Sequence, residues 1–187
     1  NVFVPNDRYG YLDEFSSKTL EKIYNNKKSL TPSELLNLVG KHIEGQSFVR
    51  AAAENNVPIY CPGITDGAFG TQLAFFKKKH ADFEVDVVSD YNAIMDQAAQ
   101  YEKTAGIILG GGIAKHHTII SNLINGGFDY AVYVNSSSPY RGSLSSATTQ
   151  EAKSWGKVKE DAKSITLHGD AGILFPLIVA SLSEFFQ

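Results

Sequence analysis

A seven-residue segment near the end of the chain carries the residue types of an amine-binding site. Residues 151–157 read EAKSWGK, and Trp155 is the only tryptophan in the chain. Glu151 lies four positions before Trp155, so on a helix the carboxylate and the indole share one face and suit a bound ammonium group. A lysine that an indole shields from water can attack an imine or carbonyl carbon. Lys157 is the candidate for that step, and an ordinary surface lysine is the alternative.

Three consecutive glycines interrupt an apolar run in the middle of the chain. Residues 106–109 have the pattern of a strand, Gly110, Gly111 and Gly112 that of a turn, and Ile113 opens a helical pattern. Glycines let a ligand approach the backbone, and a helix N-terminus offers free N–H groups to an anion. The dinucleotide fingerprint is missing because no glycine follows Gly112 three residues on. An anion site and close packing of the helix start both explain the turn.

Two adjacent histidines follow on the first turn of that predicted helix. His116 and His117 come after Lys115 in the sequence KHH. A histidine near a helix N-terminus tends to be a neutral base, and adjacent helical residues point about 100° apart, so one ring can face a site. A plain surface pair is the alternative. No metal is expected, because neighbours cannot easily share one ion and no acidic ligand lies one turn away.

Further polar candidates lie in other loops between predicted elements. The serine-rich loop at 136–148 offers hydroxyl and N–H groups to a phosphate or a ribose, and a mobile surface loop is the alternative. Asp66 and Asp170 each lie in a loop before a predicted helix. Either carboxylate could accept from ribose hydroxyls or could cap its helix.

A regular alternation of strand and helix patterns must position these loops. Apolar runs bounded by glycine, proline or aspartate predict strands at 57–61, 83–88, 106–109, 130–135 and 164–168. Helical patterns follow them at 68–79, 91–102, 113–124, 149–158 and 172–186. This spacing predicts an α/β fold, a parallel sheet with helices on both faces. Sites of such sheets lie beyond the carboxyl ends of the strands, where these loops begin.

The first 56 residues are predicted to be a helical lead-in to that sheet. Helical patterns cover 12–24 and 47–54. Between them a helix begins with Thr31 as N-cap, Pro32 in the first helical position and Glu34 closing a capping box. The chain has no internal repeat and no long linker, so residues 1–187 are expected to form a single α/β domain.

Composition narrows the function classes. With 187 residues and a formal net charge of −3, the chain is not expected to bind nucleic acid. No stretch reaches the ~20 apolar residues of a membrane span, and no signal peptide pattern opens the sequence. Cys61 is the only cysteine, which fits a reducing compartment. Because the first residue is Asn and Met95 is the only methionine, a processed product, a fragment or part of a larger polypeptide is expected.

Together these segments resemble the C-terminal part of deoxyhypusine synthase. The matching stretches are NVFVPNDRY (1–9), ITDGAFG (64–70), ILGGGIAKHH (108–117), DYAVYVN (129–135), EAKSWGK (151–157) and GDAGILFP (169–176). They span almost the whole chain. SWGK and GGG-x-x-KHH in one chain are far more specific than a lone glycine motif.

The resemblance implies a Rossmann-like three-layer fold and an NAD-dependent transferase. The family oxidises spermidine, moves the aminobutyl group onto a lysine as an imine, and passes it to a lysine of the precursor of translation initiation factor 5A. By motif, Lys157 is the covalent lysine and His116 the base. The polyamine pocket matches Glu151, Trp155, Gly111, Gly142 and Ser143, and the NAD-contacting positions match Asp66, Ser136, Ser137, Asp170 and Ala171.

The resemblance also implies an assembly and leaves alternatives open. The family forms cytoplasmic homotetramers with sites shared between subunits, and its N-terminal half adds NAD contacts and a glutamate of the polyamine pocket. A separate N-terminal half or a paralogous subunit is therefore a possible partner. Eukaryotic members carry acidic residues where Thr71 and Leu144 stand here. A homospermidine-synthase-like transfer to a small amine and a non-catalytic subunit of a synthase complex are the alternatives.

Overall fold

The computed structural model of the chain describes residues 3–138, Tyr140, 142–183 and Phe185. Their contacts group into two units, Asn1–Asn92 and Ala93–Gln187, and each unit has its own apolar core. Within the described residues, no helix is both long enough and apolar enough to cross a bilayer. The single domain expected over residues 1–187 stays a prediction.

The first unit is mainly helical. Its elements are α1 (Asp7–Tyr24), β1 (Ser29–Leu30), α2 (Pro32–Gly40), α3 (Phe48–Glu54), α4 (Ala68–Lys79) and β2 (Glu84–Val85). The two short strands pair in parallel, with Leu30 opposite Val85. Leu20 of α1, Leu35 of α2 and Phe76 of α4 are buried in the same apolar cluster, so burial of one face of each helix holds these elements together.

Short-range capping determines where the second helix begins. The Oγ1 atom of Thr31 accepts from the N–H of Glu34 (3.3 Å), and the N–H of Thr31 donates to Oε2 of Glu34 (3.2 Å). Pro32 occupies the first turn, where its missing N–H costs nothing. The predicted capping box is therefore confirmed, and such a cap contributes about 1 kcal/mol to helix stability.

The second unit is built on a parallel three-stranded sheet. Its elements are β3 (Ala105–Leu109), α6 (Gly112–Ser121), β4 (Phe128–Asn135), α7 (Thr149–Ser154), β5 (Val158–His168) and α8 (Ala171–Ser183), and α5 (Val87–Ala99) precedes them. The strand order is β3-β4-β5, with Ile108 opposite Tyr133 and Tyr133 opposite Thr166. Helices connect successive parallel strands, so the predicted α/β fold with parallel sheets flanked by helices is confirmed.

The carboxyl ends of the three strands lie side by side. The N–H of Gly110 donates to the carbonyl of Val134 (2.7 Å), and the N–H of Gly169 donates to the carbonyl of Asn135 (3.0 Å). These two bonds continue the sheet by one residue beyond β3 and β5. The glycine turn, the serine loop and the loop that contains Asp170 therefore start from one edge of the sheet.

Two predicted strands differ in the structure. Residues 57–61 form no strand, because Pro58 has no N–H to donate to a ladder and Pro62 follows. The strand predicted at 83–88 is reduced to β2, since Oδ1 of Asp86 accepts from the N–H groups of Val88 (3.0 Å) and Ser89 (2.9 Å) and starts α5 early. Side-chain capping thus replaces strand pairing at this point.

Candidate functional site

The candidate nucleophile lies in the turn that follows α7. Trp155 is the C-cap residue, and Gly156 follows with a φ of 68°, a left-handed conformation that favours glycine. The N–H of Lys157 donates to the carbonyl of Ala152 (2.9 Å), so the turn folds back onto the helix. Lys157 Nζ lies 5.0 Å from the centre of the Trp155 ring, within the range of a cation–π contact. The amine and the indole of the SWGK segment therefore lie together.

Glu151 is exposed and caps the helix that carries it. Its N–H donates to Oγ1 of Thr148 (3.3 Å), and its Oε2 accepts from the N–H of Thr148 (2.7 Å). The T-x-x-E spacing of residues 148–151 is typical of a capping box. Glu151 was predicted only as the partner of a bound ammonium group, so this capping role was missed. Its Oε1 atom is not part of the box and can accept from a bound ammonium group.

The glycine turn packs against the serine loop of the same unit. Gly110 and Gly112 both have a φ of 81°, and a Cβ atom on Gly111 would lie 2.8 Å from Cβ of Ser145. The N–H of Gly112 donates to Oγ of Ser145 (3.1 Å). Close packing of the helix start is therefore a real function of these glycines. An anion here would depend on the other N–H groups of the first turn of α6.

The first turn of α6 contains a buried lysine beside the two histidines. Lys115 is buried, whereas His116 and His117 are half-buried. Burial lowers the pKa of Lys115, the charge of Glu151 raises it, and the charge of Lys157 lowers it further. The charges of Glu151 and Lys157 therefore both reach Lys115, and His116 follows Lys115 in the sequence.

The KHH motif alone assigns no role to Lys115. A signal was present, since Lys115 precedes Ile119 by four positions and Ile119 is fully buried. On a helix these two residues share a face, so periodicity already placed the lysine on the buried side of α6.

The serine loop brings several of the candidate residues to the sheet edge. Ser136 and Ser143 are exposed, and Gly142, also exposed, has a φ of 64°. Ser137 is half-buried, and its N–H donates to Oδ1 of Asn135 (2.9 Å). The loop is therefore attached at its first residues to the end of β4, and Ser136 and Ser143 are its exposed serines among the described residues.

The last loop of the unit joins β5 to α8. Asp170 is exposed, and its Oδ1 accepts from the N–H of Ile173 (3.2 Å) in the first turn of the helix that begins at Ala171. The carboxylate therefore caps α8, as the alternative interpretation expected. Its Oδ2 atom is not part of this cap and can accept from a ligand hydroxyl group.

Asp66 lies in the first unit, in the turn before α4. It is exposed, and its N–H donates to the carbonyl of Gly63 (2.9 Å). Thr71 in the same helix is exposed and donates from Oγ1 to the carbonyl of Gly67 (3.3 Å). In the part of the chain that the structure describes, no three His, Cys, Asp or Glu side chains form a group that could hold a metal ion.

The chain matches known proteins along almost all of its length. The family model described as deoxyhypusine synthase matches residues 1–182. A probable deoxyhypusine synthase of Thermoplasma acidophilum is 43% identical over 182 residues, covering 96% of this chain. A deoxyhypusine synthase of Senecio vernalis is 41% identical over 187 residues.

The chain belongs to the deoxyhypusine synthase family.

A solved structure supports the same relationship at the level of the fold. The crystal structure of a candidate deoxyhypusine synthase from Entamoeba histolytica matches with a TM-score of 0.72 and 27% identity. The match covers 95% of this chain and 56% of the Entamoeba chain. The chain also spans 59% of the Thermoplasma relative and 50% of the Senecio relative. It thus spans little more than half the length of these deoxyhypusine synthases.

Proposed function

We propose that this chain carries the transfer centre of an NAD-dependent deoxyhypusine synthase. In this reaction the aminobutyl group of spermidine passes through an imine with Lys157 to a lysine of translation initiation factor 5A. The observation that carries the proposal is the contact between Lys157 and Trp155, with the Glu151 charge acting on the same neighbourhood. Membership of the deoxyhypusine synthase family supports it.

The residues around Lys157 suit each part of an imine exchange. The neutral amine of Lys157 attacks the oxidised carbon of the polyamine, a new C=N bond forms, and the three-carbon diamine leaves with the electron pair of the broken C–N bond. The indole of Trp155 provides an apolar wall for the butyl chain. Oε1 of Glu151 accepts from the distal ammonium group and thereby orients the chain.

His116 is the proposed base of the oxidation step. It lies near the start of α6, directly after the buried Lys115. An imidazole nitrogen accepts the proton that the amine loses as it is oxidised. The half-buried position of His116 keeps one side of the ring within reach of solvent, to which the proton can pass.

The sheet edge fits a dinucleotide. Asp170 offers an acceptor oxygen beyond its cap, and Ser136 and Ser137 offer donors at the end of the adjoining strand. Ala171, at the start of α8, completes the proposed set at this sheet edge. Asp66 of the first unit stays a separate prediction from the family resemblance. Bound NAD supplies a hydride acceptor and later a hydride donor. These groups of the chain hold its ribose and phosphate oxygens.

A transfer to a small amine is the second candidate. Leu144 is half-buried against the apolar core of the second unit, where eukaryotic relatives were expected to carry an acidic residue. Thr71 uses its hydroxyl within α4. With Glu151 as the evident anionic partner, a diamine such as putrescine is the substrate or acceptor of this second candidate.

Covalent trapping tests the proposal. The chain is incubated with NAD and spermidine, reduced with borohydride, digested and analysed by mass spectrometry for an aminobutyl adduct. We expect the adduct on Lys157. Lys157→Arg removes it because a guanidinium stays protonated and cannot form the imine, whereas Lys163→Arg, at an exposed position of β5, keeps it.

The same experiment separates the alternatives. Labelled factor 5A in competition with putrescine indicates a deoxyhypusine synthase, and homospermidine with unlabelled factor indicates the small-amine transferase. If no adduct forms, the preparation is repeated with the N-terminal region of the Thermoplasma relative added. An adduct still missing then contradicts the transfer role and favours a non-catalytic subunit.

The assembly and cellular setting belong to the same proposal. We infer a homotetramer, or an assembly with a separate N-terminal half or a paralogous subunit, and membership of the deoxyhypusine synthase family supports it. The single cysteine and a translation factor as acceptor support a cytoplasmic setting.

A further inference from the structure

Lys115 is a buried cation that the proposed reaction does not use. It is 3% exposed, and its Nζ lies 4.7 Å from the centre of the buried Tyr133 ring. A buried ammonium group is costly unless its donors are satisfied. Here Nζ donates to the carbonyl of Ala147 (2.6 Å) and, at longer range, to that of Ser145 (3.4 Å).

The two carbonyls belong to the end of the serine loop, residues 136–148. Ser145 makes two further contacts with neighbouring elements. Its carbonyl accepts from Nδ2 of Asn135 at the end of β4, and its Oγ accepts from the N–H of Gly112 at 3.1 Å. The glycine turn, the end of β4 and the buried lysine therefore all bind one residue of the loop.

We propose that Lys115 is a positioning residue that holds the serine loop against the glycine turn. Its ammonium group spans from α6 to the loop and donates to the carbonyls of Ala147 and Ser145, the second of which also accepts from Asn135. The consequence for catalysis rests on the proposed function, because this loop carries the proposed polyamine positions Gly142 and Ser143 and the proposed NAD positions Ser136 and Ser137. Lys115 acts through the loop and does not touch substrate.

Hydrogen exchange on the whole chain tests this without any substrate. The amides of Gly112, Ser137 and Ser146 all donate within the loop and turn, at 3.1, 2.9 and 3.0 Å. In Lys115→Met we expect these amides to exchange at least about tenfold faster, because charged hydrogen bonds are lost, while the amides of β4 and β5 keep their protection. Lys115→Arg keeps donors for the two carbonyls and should stay within about threefold of wild type. Lys163→Met, at the exposed position, is the matched control and should change nothing.

Two results would overturn the proposal. One is unchanged loop exchange in Lys115→Met. The other is an equal acceleration through β4 and β5, which would show a general loss of stability. If Lys115→Met does not fold, Lys115→Arg decides in its place: loop amides within about threefold of wild type support the proposal, and unprotected loop amides reject it.

The catalytic consequence has its own readout. If wild type forms the Lys157 adduct, Lys115→Met should raise the spermidine KM by about tenfold or more and change kcat only a few-fold, because the loop that binds is displaced and the nucleophile is kept. Unchanged KM would reject this consequence. If wild type forms no adduct even with the N-terminal region of the Thermoplasma relative added, while Lys115→Met accelerates loop exchange, the transfer role is rejected and the positioning role stands.

Discussion

At the scale of single residues, Glu151 uses one carboxylate for two tasks. Oε2 closes the capping box of α7, while Oε1 remains open to an ammonium group. Burial lowers the pKa of Lys115 and the charge of Glu151 opposes that shift, so Glu151 acts toward the core as well as toward solvent. Its structural and chemical roles can be separated, because glutamine preserves the cap and removes the charge.

Two substitutions at Glu151 should therefore have different effects. Glu151→Gln should leave Tm nearly unchanged and raise the KM for spermidine by about tenfold, since a charge-assisted hydrogen bond becomes a neutral one. Glu151→Ala should raise KM similarly and also lower the free energy of unfolding by about 1 kcal/mol through loss of the box. Steady-state kinetics and thermal denaturation measure the two effects. Equal Tm values for the two variants would contradict the structural role.

At the scale of elements, a carboxylate ties α1 to the chain that enters β2. Asp82 accepts from Nζ of Lys28 (2.6 Å) and from the hydroxyl of Tyr24 (2.6 Å). The hydrogen bond from Lys28, and then that from Tyr24, lowers the pKa of Asp82 from 3.8 to about 2. The ionised form is thus favoured by folding.

The lowered pKa of Asp82 predicts that the protein loses stability in acid. Because the folded pKa lies below the unfolded one, the stabilisation is complete above pH 3.8 and is lost as the pH falls through about 2. Asp82→Asn lacks this group, so its Tm should depend less on pH across that interval. Thermal denaturation between pH 2 and 7 checks it. Parallel curves for the variant and the wild type would contradict the prediction.

At the scale of the whole molecule, one helix leaves its apolar side chains uncovered. Ile173, Leu177 and Val179 of α8 are 66%, 63% and 48% exposed. Exposed apolar side chains that cluster on one helix are typical of interaction surfaces. A second copy of the chain is the occupant we expect, in keeping with the proposed homotetramer.

Self-association of the chain can be detected from the mass of the particles and from the dependence of Tm on protein concentration. Native mass spectrometry should find oligomers of the 20.4 kDa chain, and Tm should rise with protein concentration. Leu177→Glu should shift the population toward monomer, because a buried carboxylate without a partner is costly, while Gln100→Glu, at an exposed position beyond α5, should not. A monomer at every concentration tested would reject self-association through α8.

The sequence predicted those features that depend on neighbouring residues. The cap at Thr31 and Glu34 is a contact over three positions, and the strand, glycine turn and helix at 105–121 follow from local pattern and the conformational freedom of glycine. The T-x-x-E spacing of Thr148 and Glu151 predicts a capping box in the same way. The motifs also indicated the correct family before any fold was known.

Only the tertiary structure determined which polar side chains are buried and which predicted strands pair in a sheet. Nζ of Lys115 donates to the carbonyl of Ala147, 32 positions further along the chain, and this hydrogen bond is buried. The KHH motif alone does not indicate that its lysine is buried. Residues 57–61 have the apolar content of a strand but form none, while β5 extends back to Val158 through its pairing with Phe128. Helix capping and turn formation depend on hydrogen bonds between residues that lie within a few positions of each other. Desolvation and strand pairing depend on residues far apart in the chain, which the order of amino acids does not display directly.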